Sequence, residues 1–151
     1  MREKDIFSDG QALGALNSTG VVCTNPFDME LDGAAGNVIL TDDQIEAVLN
    51  VAVLSSTNAA GTQGMDVEIR SSDNNDMTTG AIVLASLHLT KAEIVAGTRK
   101  SIKVLASLTQ KFLGVWYKAT DTSLDNLTSV DCWLSAVPDG SPNEDIQKIP
   151  S

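Results

Sequence analysis

The sequence predicts an all-β fold, an antiparallel sandwich or barrel, and three observations point to it. Apolar residues recur with period two rather than 3.6 through most of the chain. Clusters of Ser, Asn, Asp and Gly break these runs every ~8–12 residues, the rhythm of short strands joined by turns. No segment carries a convincing long amphipathic helix. At 151 residues, 42% of them apolar, the chain suits one domain with its own core. The β-domain is expected over residues 1–137, followed by a polar tail over 138–151 that begins Pro138-Asp139-Gly140-Ser141.

The elements follow in chain order. Thr41-Asp42-Asp43-Gln44 has the form of a capping box, which would open a helix. Ile45, Ala47, Leu49, Val51 and Val53 then alternate strictly, and a helix would smear them around its circumference. The expectation is a short turn at 41–44 and a strand from about 47 to 54. Residues 65–71 set Met65, Val67 and Ile69 against Asp66, Glu68 and Arg70, a half-buried antiparallel strand. Residues 81–88 are apolar on both faces at first, as in a central strand. Residues 91–96 end at Gly97, either as one helical turn closed by that glycine or as a short connecting strand. Residues 99–105 place Ile102 and Val104 on one face. Residues 111–117 are again apolar on both faces, and Gly114 marks a bulge or a close approach there. A loop opens at Thr120-Asp121-Thr122-Ser123 and runs to a strand near 127. In residues 130–136, Val130, Cys132, Leu134 and Ala136 face inward and Trp133 faces the other way.

Charge narrows the function. Twenty acids against 10 bases give a net charge of −10, and a chain so acidic repels phosphate backbones, so no nucleic-acid partner is expected. No apolar run approaches the ~18–20 residues of a membrane span, and the start, MREKDIFSDG, lacks the apolar stretch of a signal peptide. Cys23 and Cys132 sit in strand-like apolar contexts and read as buried free thiols rather than one bridge. His88, the lone histidine, ends an apolar strand, with no Gly-x-Ser-x-Gly elbow or flagged Cys to make a nucleophile. One His and two Cys do not furnish a zinc set. Asp73-Asn74-Asn75-Asp76 offers oxygen ligands but lacks the calcium-loop Gly and Glu, so a hairpin turn is the better reading. Asp42 and Asp43 read as turn residues rather than a catalytic carboxylate pair. No enzyme, metal or cofactor is expected.

Several short motifs, in order, resemble one family. Phe7-Ser8-Asp9-Gly10-Gln11-Ala12 resembles the Phe-Ser-Asp-x-Gln-Ala opening of the capsid cement (decoration) proteins of short-tailed bacteriophages. Val67-Glu68-Ile69-Arg70-Ser71-Ser72-Asp73-Asn74 looks like their strand leading to an Asp-rich turn, and Ile94-Val95-Ala96-Gly97-Thr98-Arg99 is similar to their Val-Ala-Gly-x-Arg element. Phe112-Leu113-Gly114-Val115-Trp116-Tyr117 matches their late strand ending in Tyr. The resemblance spans residues 7–137 and implies a jelly-roll-like sandwich with no catalytic residues. It implies attachment to the outside of an assembled shell, with the major capsid protein as partner, as a homodimer or else a homotrimer. The expected contact positions, to shell or sister subunit, are Phe7, Asp9 and Gln11; Asp73, Asn74 and Asp76; Asp121 and Asp125; and Trp133. A rival expectation is a carbohydrate- or receptor-binding sandwich, which needs Trp116 or Trp133 exposed as a platform.

Overall fold

A computed structural model describes residues 6–17, 19–28, 40–41, 44–56, 64–107, 111–120 and 123–135. They form ten strands: β1 (Ile6–Asn17), β2 (Val21–Val22), β3 (Phe27–Asp28), β4 (Leu40–Thr41), β5 (Gln44–Ser56), β6 (Met65–Ser72), β7 (Ile82–Leu89), β8 (Arg99–Ser107), β9 (Phe112–Ala119) and β10 (Ser123–Ser135). The first sheet runs β1-β10-β5-β8, with the short β4 also on β5; the second runs β2-β9-β6-β7, with β3 also on β9. Every pairing is antiparallel.

The pairings nest. β6 pairs β7, β5 pairs β8, β2 and β3 pair β9, and β1 pairs β10. One long hairpin, folded over so that successive pairs fall alternately in the two sheets, gives this order. It is the jelly roll expected from the family resemblance. No α-helix occurs among the described residues.

The core lies between the sheets and is filled by the alternating residues. Leu49, Val51 and Val53 of β5 and Val130, Cys132 and Leu134 of β10 face Met65, Val67 and Ile69 of β6 and Leu113, Val115 and Tyr117 of β9; all are nearly or wholly buried. Each such large apolar side chain contributes roughly 1.5–3 kcal/mol of transfer free energy. Phe7 stacks on Phe27, ring centroids 4.2 Å apart, where the first strand meets the second sheet.

Several expectations shift in detail. The strand expected at 47–54 runs from Gln44 to Ser56, its first residues Gln44 and Ile45 pairing with Thr41 and Leu40 of β4. Asp42 and Asp43, Ala136 and the tail from Pro138 lie outside the described residues. Residues 81–88 do not form a central strand. β7 ends its sheet, and Ile82 and Val83 are about half exposed. The apolar run reflects an edge with solvent on its flank, which sequence periodicity reads the same way as two-sided burial. The loop expected from 120 toward 127 is shorter, since β10 starts at Ser123. Between β7 and β8 the helical-turn alternative holds: Lys91–Glu93 is a 3-10 turn, with Gly97 at φ +94° and its N–H on Val53 O. The register across Gly114 is continuous, so it is not a bulge; a Cβ there would lie 2.9 Å from the Met77 side chain.

Both cysteines are free and buried. Burial pushes the Cys23 thiol up to about 11, against hydrogen bonds that include the Val115 N–H, and raises Cys132 further. A thiol so protonated and enclosed is a poor nucleophile. The native protein is therefore expected to leave both thiols unmodified by a maleimide at pH 7 and to take up two equivalents once denatured, as read by intact mass.

Candidate functional site

The Phe7–Ala12 motif is built around a bulge. Ser8 pairs Cys132 and Gln11 pairs Val130, so three steps on β1 oppose two on β10. Gly10 absorbs the extra residue at φ +63°, and its N–H donates to Asp131 Oδ1 at 2.7 Å. Strict alternation would turn Gln11 outward when Ser8 is inward. The bulge turns both inward, and it twists the edge strand away from further pairing.

Once inside, Gln11 ties the two sheets together. Its Nε2 donates to Val22 O at 2.9 Å, and its Oε1 accepts from Thr24 N at 2.9 Å and from Ser8 Oγ at 2.6 Å. The Ser8 proton is thereby committed, which leaves the Tyr117 hydroxyl to donate to Ser8 Oγ at 2.7 Å. Complete burial, with the Cys132 and Cys23 thiols nearby, raises the Tyr117 phenol well above its ordinary value, so it stays a donor. Asn25 adds two bonds, N–H to Phe7 O at 2.9 Å and Nδ2 to Ile6 O at 3.0 Å. Two motifs 109 residues apart in the chain thus meet at one hydrogen bond.

The β6–β7 loop is the second constructed feature. Ser72 Oγ donates to Thr79 O at 2.7 Å and accepts from Asn74 N at 3.1 Å. Asp76 Oδ1 accepts from Thr78 N at 2.9 Å and Thr79 N at 3.3 Å, and Asp73 Oδ1 accepts from Lys111 N at 3.3 Å. Met77 holds φ 60°, unusual for a bulky residue, with its side chain fully buried against Gly114 and its carbonyl bonded by Arg70 Nη1 at 3.0 Å. The carboxylates here fold the loop. Among the described residues no group of three or more His, Cys, Asp or Glu is arranged to hold a metal ion.

Both tryptophans lie on outer faces yet are closed off. Trp116 is 8% exposed: Arg70 lies over its ring at 4.9 Å, and its Nε1 donates to Thr19 O at 3.0 Å. Gly20 packs so tightly on this indole that a Cβ would fall 2.3 Å from Nε1. Arg70 also bonds the nearly buried Glu68, whose other oxygen lies 3.2 Å from Lys118 Nζ. Trp133 is 7% exposed, beneath Arg99 at 5.7 Å.

His88 meets Asp66 Oδ1 at 2.9 Å and Thr120 Oγ1 at 3.4 Å, and both approach the same ring nitrogen, Nδ1. A catalytic triad needs the acid and the nucleophile on opposite nitrogens, so this exposed trio does not have that geometry.

The expected contact residues therefore separate. Phe7 is in the core, Gln11 is engaged by backbone, and Asp9 is exposed on the bulge between them. Asp73, Asn74 and Asp76 are exposed at the end of the sandwich where β1 begins. Asp125 is a backbone position near the start of β10, at the opposite end, and Asp121 lies outside the described residues. Sequence inspection singles out Gln11 and Phe7 but misses their partners: Ser8, Tyr117 and Asn25 carry no local signal for contacts so distant in the chain.

Residues 7–126 match the Bbp16 family. The chain belongs to that family. The matched span holds the Phe7–Ala12 motif, the β6–β7 loop and the strand ending at Tyr117–Ala119, so the hydrogen-bonded meeting of Ser8 and Tyr117 lies wholly inside the Bbp16 region. No curated protein matches the chain.

Two outcomes follow from this geometry. Gln11→Ala removes three hydrogen bonds and is expected to destabilise the fold by about 1–3 kcal/mol in urea titration, whereas Asp9→Ala stays within about 0.5 kcal/mol. Asp76 is held below its ordinary 3.8, first by the Thr78 N–H. A depressed carboxyl supports the loop above that value and loses its effect as pH falls through the lower folded one. The amide proton shifts of Thr78 and Thr79 are expected to titrate together with a midpoint below 3.8, and Asp76→Asn abolishes the transition.

Proposed function

We propose that this Bbp16-family chain is a structural virion protein that binds the outer surface of an assembled phage capsid and cements neighbouring capsomers. The observation that carries this reading is the meeting of the Phe7–Ala12 motif with the late Tyr117 strand. Two of the four motifs on which the chain resembles cement proteins meet there and fasten one sheet to the other. A jelly roll so closed is a stiff plate, suited to bridging two subunits of a lattice. The net charge of −10 keeps free copies apart and soluble.

The partners on this reading are the major capsid protein and a second copy of the chain, a homodimer before a homotrimer. Weak contacts repeated on a symmetric lattice raise avidity by roughly 10²–10⁴ over a single site. Binding only the finished shell stabilises it by mass action. A sugar-binding role needs an open aromatic platform, and Trp116 and Trp133 are each covered by an arginine.

Capsids lacking this protein are expected to lose DNA or melt earlier on heating than capsids carrying it, as followed by calorimetry and a DNA-binding dye. Superimposable melting curves would end the proposal.

A further inference from the structure

One guanidinium on the outer face of the second sheet joins three parts of the fold. Arg70 of β6 sets Nε and Nη2 on Glu68 Oε1 at 2.9 and 2.5 Å, while Nη1 donates to Met77 O at 3.0 Å. The same group lies 4.9 Å from the centre of the Trp116 ring. Glu68 is held from its other side, Oε2 lying 3.2 Å from Lys118 Nζ of β9. Strand, loop and indole therefore share one side chain, and its fork is already oriented by a doubly held carboxylate.

The β6–β7 loop needs such a hold. Residues 73–76 and 78–80 are exposed, yet Met77 between them is fully buried. Its φ of 60° is a conformation that persists in a bulky residue only where the surroundings over-determine it. Two contacts do so. Arg70 takes the Met77 carbonyl, and the Met77 side chain fills the space above Gly114, where a Cβ would come within 2.9 Å of it. Arg70 and Gly114 are register partners across β6 and β9. Both contacts thus come from a single cross-strand pair, one member giving a clamp and the other a seat.

We infer that the Arg70–Gly114 pair is the socket that positions the β6–β7 loop, and that the loop held in this way is an element with which the chain meets the shell. The docking half rests on the cement reading; the socket rests on the geometry alone. Arg70 acts through Met77, so it is a positioning residue. An exposed loop already fixed in shape loses less freedom on docking than one that must first be ordered. The exposed groups of Asp73, Asn74 and Asp76 are then presented in a constant arrangement.

The test uses the full chain, read by NMR and by co-sedimentation with empty mature heads. Arg70→Lys keeps the charge but lacks the fork that reaches Glu68 and Met77 O together. It is expected to shift the amide resonances of residues 74–79 and the Trp116 indole N–H at once, and to weaken head binding about 10-fold. Gly114→Ala leaves every charge in place and is expected to move the same loop amides by lifting Met77 from its seat. Glu68→Gln, a milder change, carries the same readings if Arg70→Lys fails to fold. Val104→Ala in the core strand β8 is the control: it lowers the melting temperature but is expected to leave loop amides and head binding as in the wild type. Loop amides unmoved by Arg70→Lys and Gly114→Ala overturn the socket. Moved amides with undiminished head binding overturn the docking role of the loop. Equal loss of binding in Val104→Ala overturns it too, since any weakened fold would then do the same. Wild-type chain that ignores the heads overturns the cement reading, and the socket still stands or falls on the loop amides.

Discussion

The contact on which the rest of this molecule depends is the insertion of one amide side chain between two sheets. A sandwich whose outermost strand pair is β1–β10 needs that strand fastened to the opposite layer as well. Gln11 does so with bonds to Val22 and Thr24, while Ser8 and Tyr117 close the polar chain beneath it. Ser8 and Tyr117 are buried and Gln11 is partly buried, so a polar group left unmatched among them would cost about 1–3 kcal/mol. The bulge at Gly10 makes the match possible by restoring an inward aim that simple alternation would lose. Polar satisfaction at Ser8 and Gln11 and the burial of Phe7, Leu13 and Leu16 together decide where the first strand lies.

That arrangement leaves the outer surface free to specialise. The tryptophans, which in isolation suggest a recognition platform, are instead held flat beneath Arg70 and Arg99. Glu68, nearly buried on an outer face, is tolerated because Arg70 and Lys118 both reach it. The exposed polar positions lie at the ends of the sandwich, and the β7 edge lies along one side.

Much of this was legible in the chain. Met65, Val67 and Ile69, and Val130, Cys132 and Leu134, alternate as half-buried strands must, and the buried state of both thiols followed from their neighbours. β7 was misplaced because Ile82 and Val83 look the same to a periodicity count whether a neighbour strand or water lies beyond them. The inward turn of Gln11 was hidden, since a bulge changes phase without changing composition. The pairing of Ser8 with Tyr117 is a property of the closed fold that no local pattern records.

The nesting of the strand pairs also governs how the chain reaches this state. Among the long strands, β6 and β7 are the paired neighbours closest in sequence, so that hairpin is the cheapest of these pairs to close, and each pair outside it bridges a longer span. During synthesis β1 has to wait, its mate β10 being among the last of the described strands to leave the ribosome. Until then Phe7 and Leu13 are without their final neighbours. Assembly of the sandwich thus starts at its central hairpin and zips outward through β5–β8 to β1–β10.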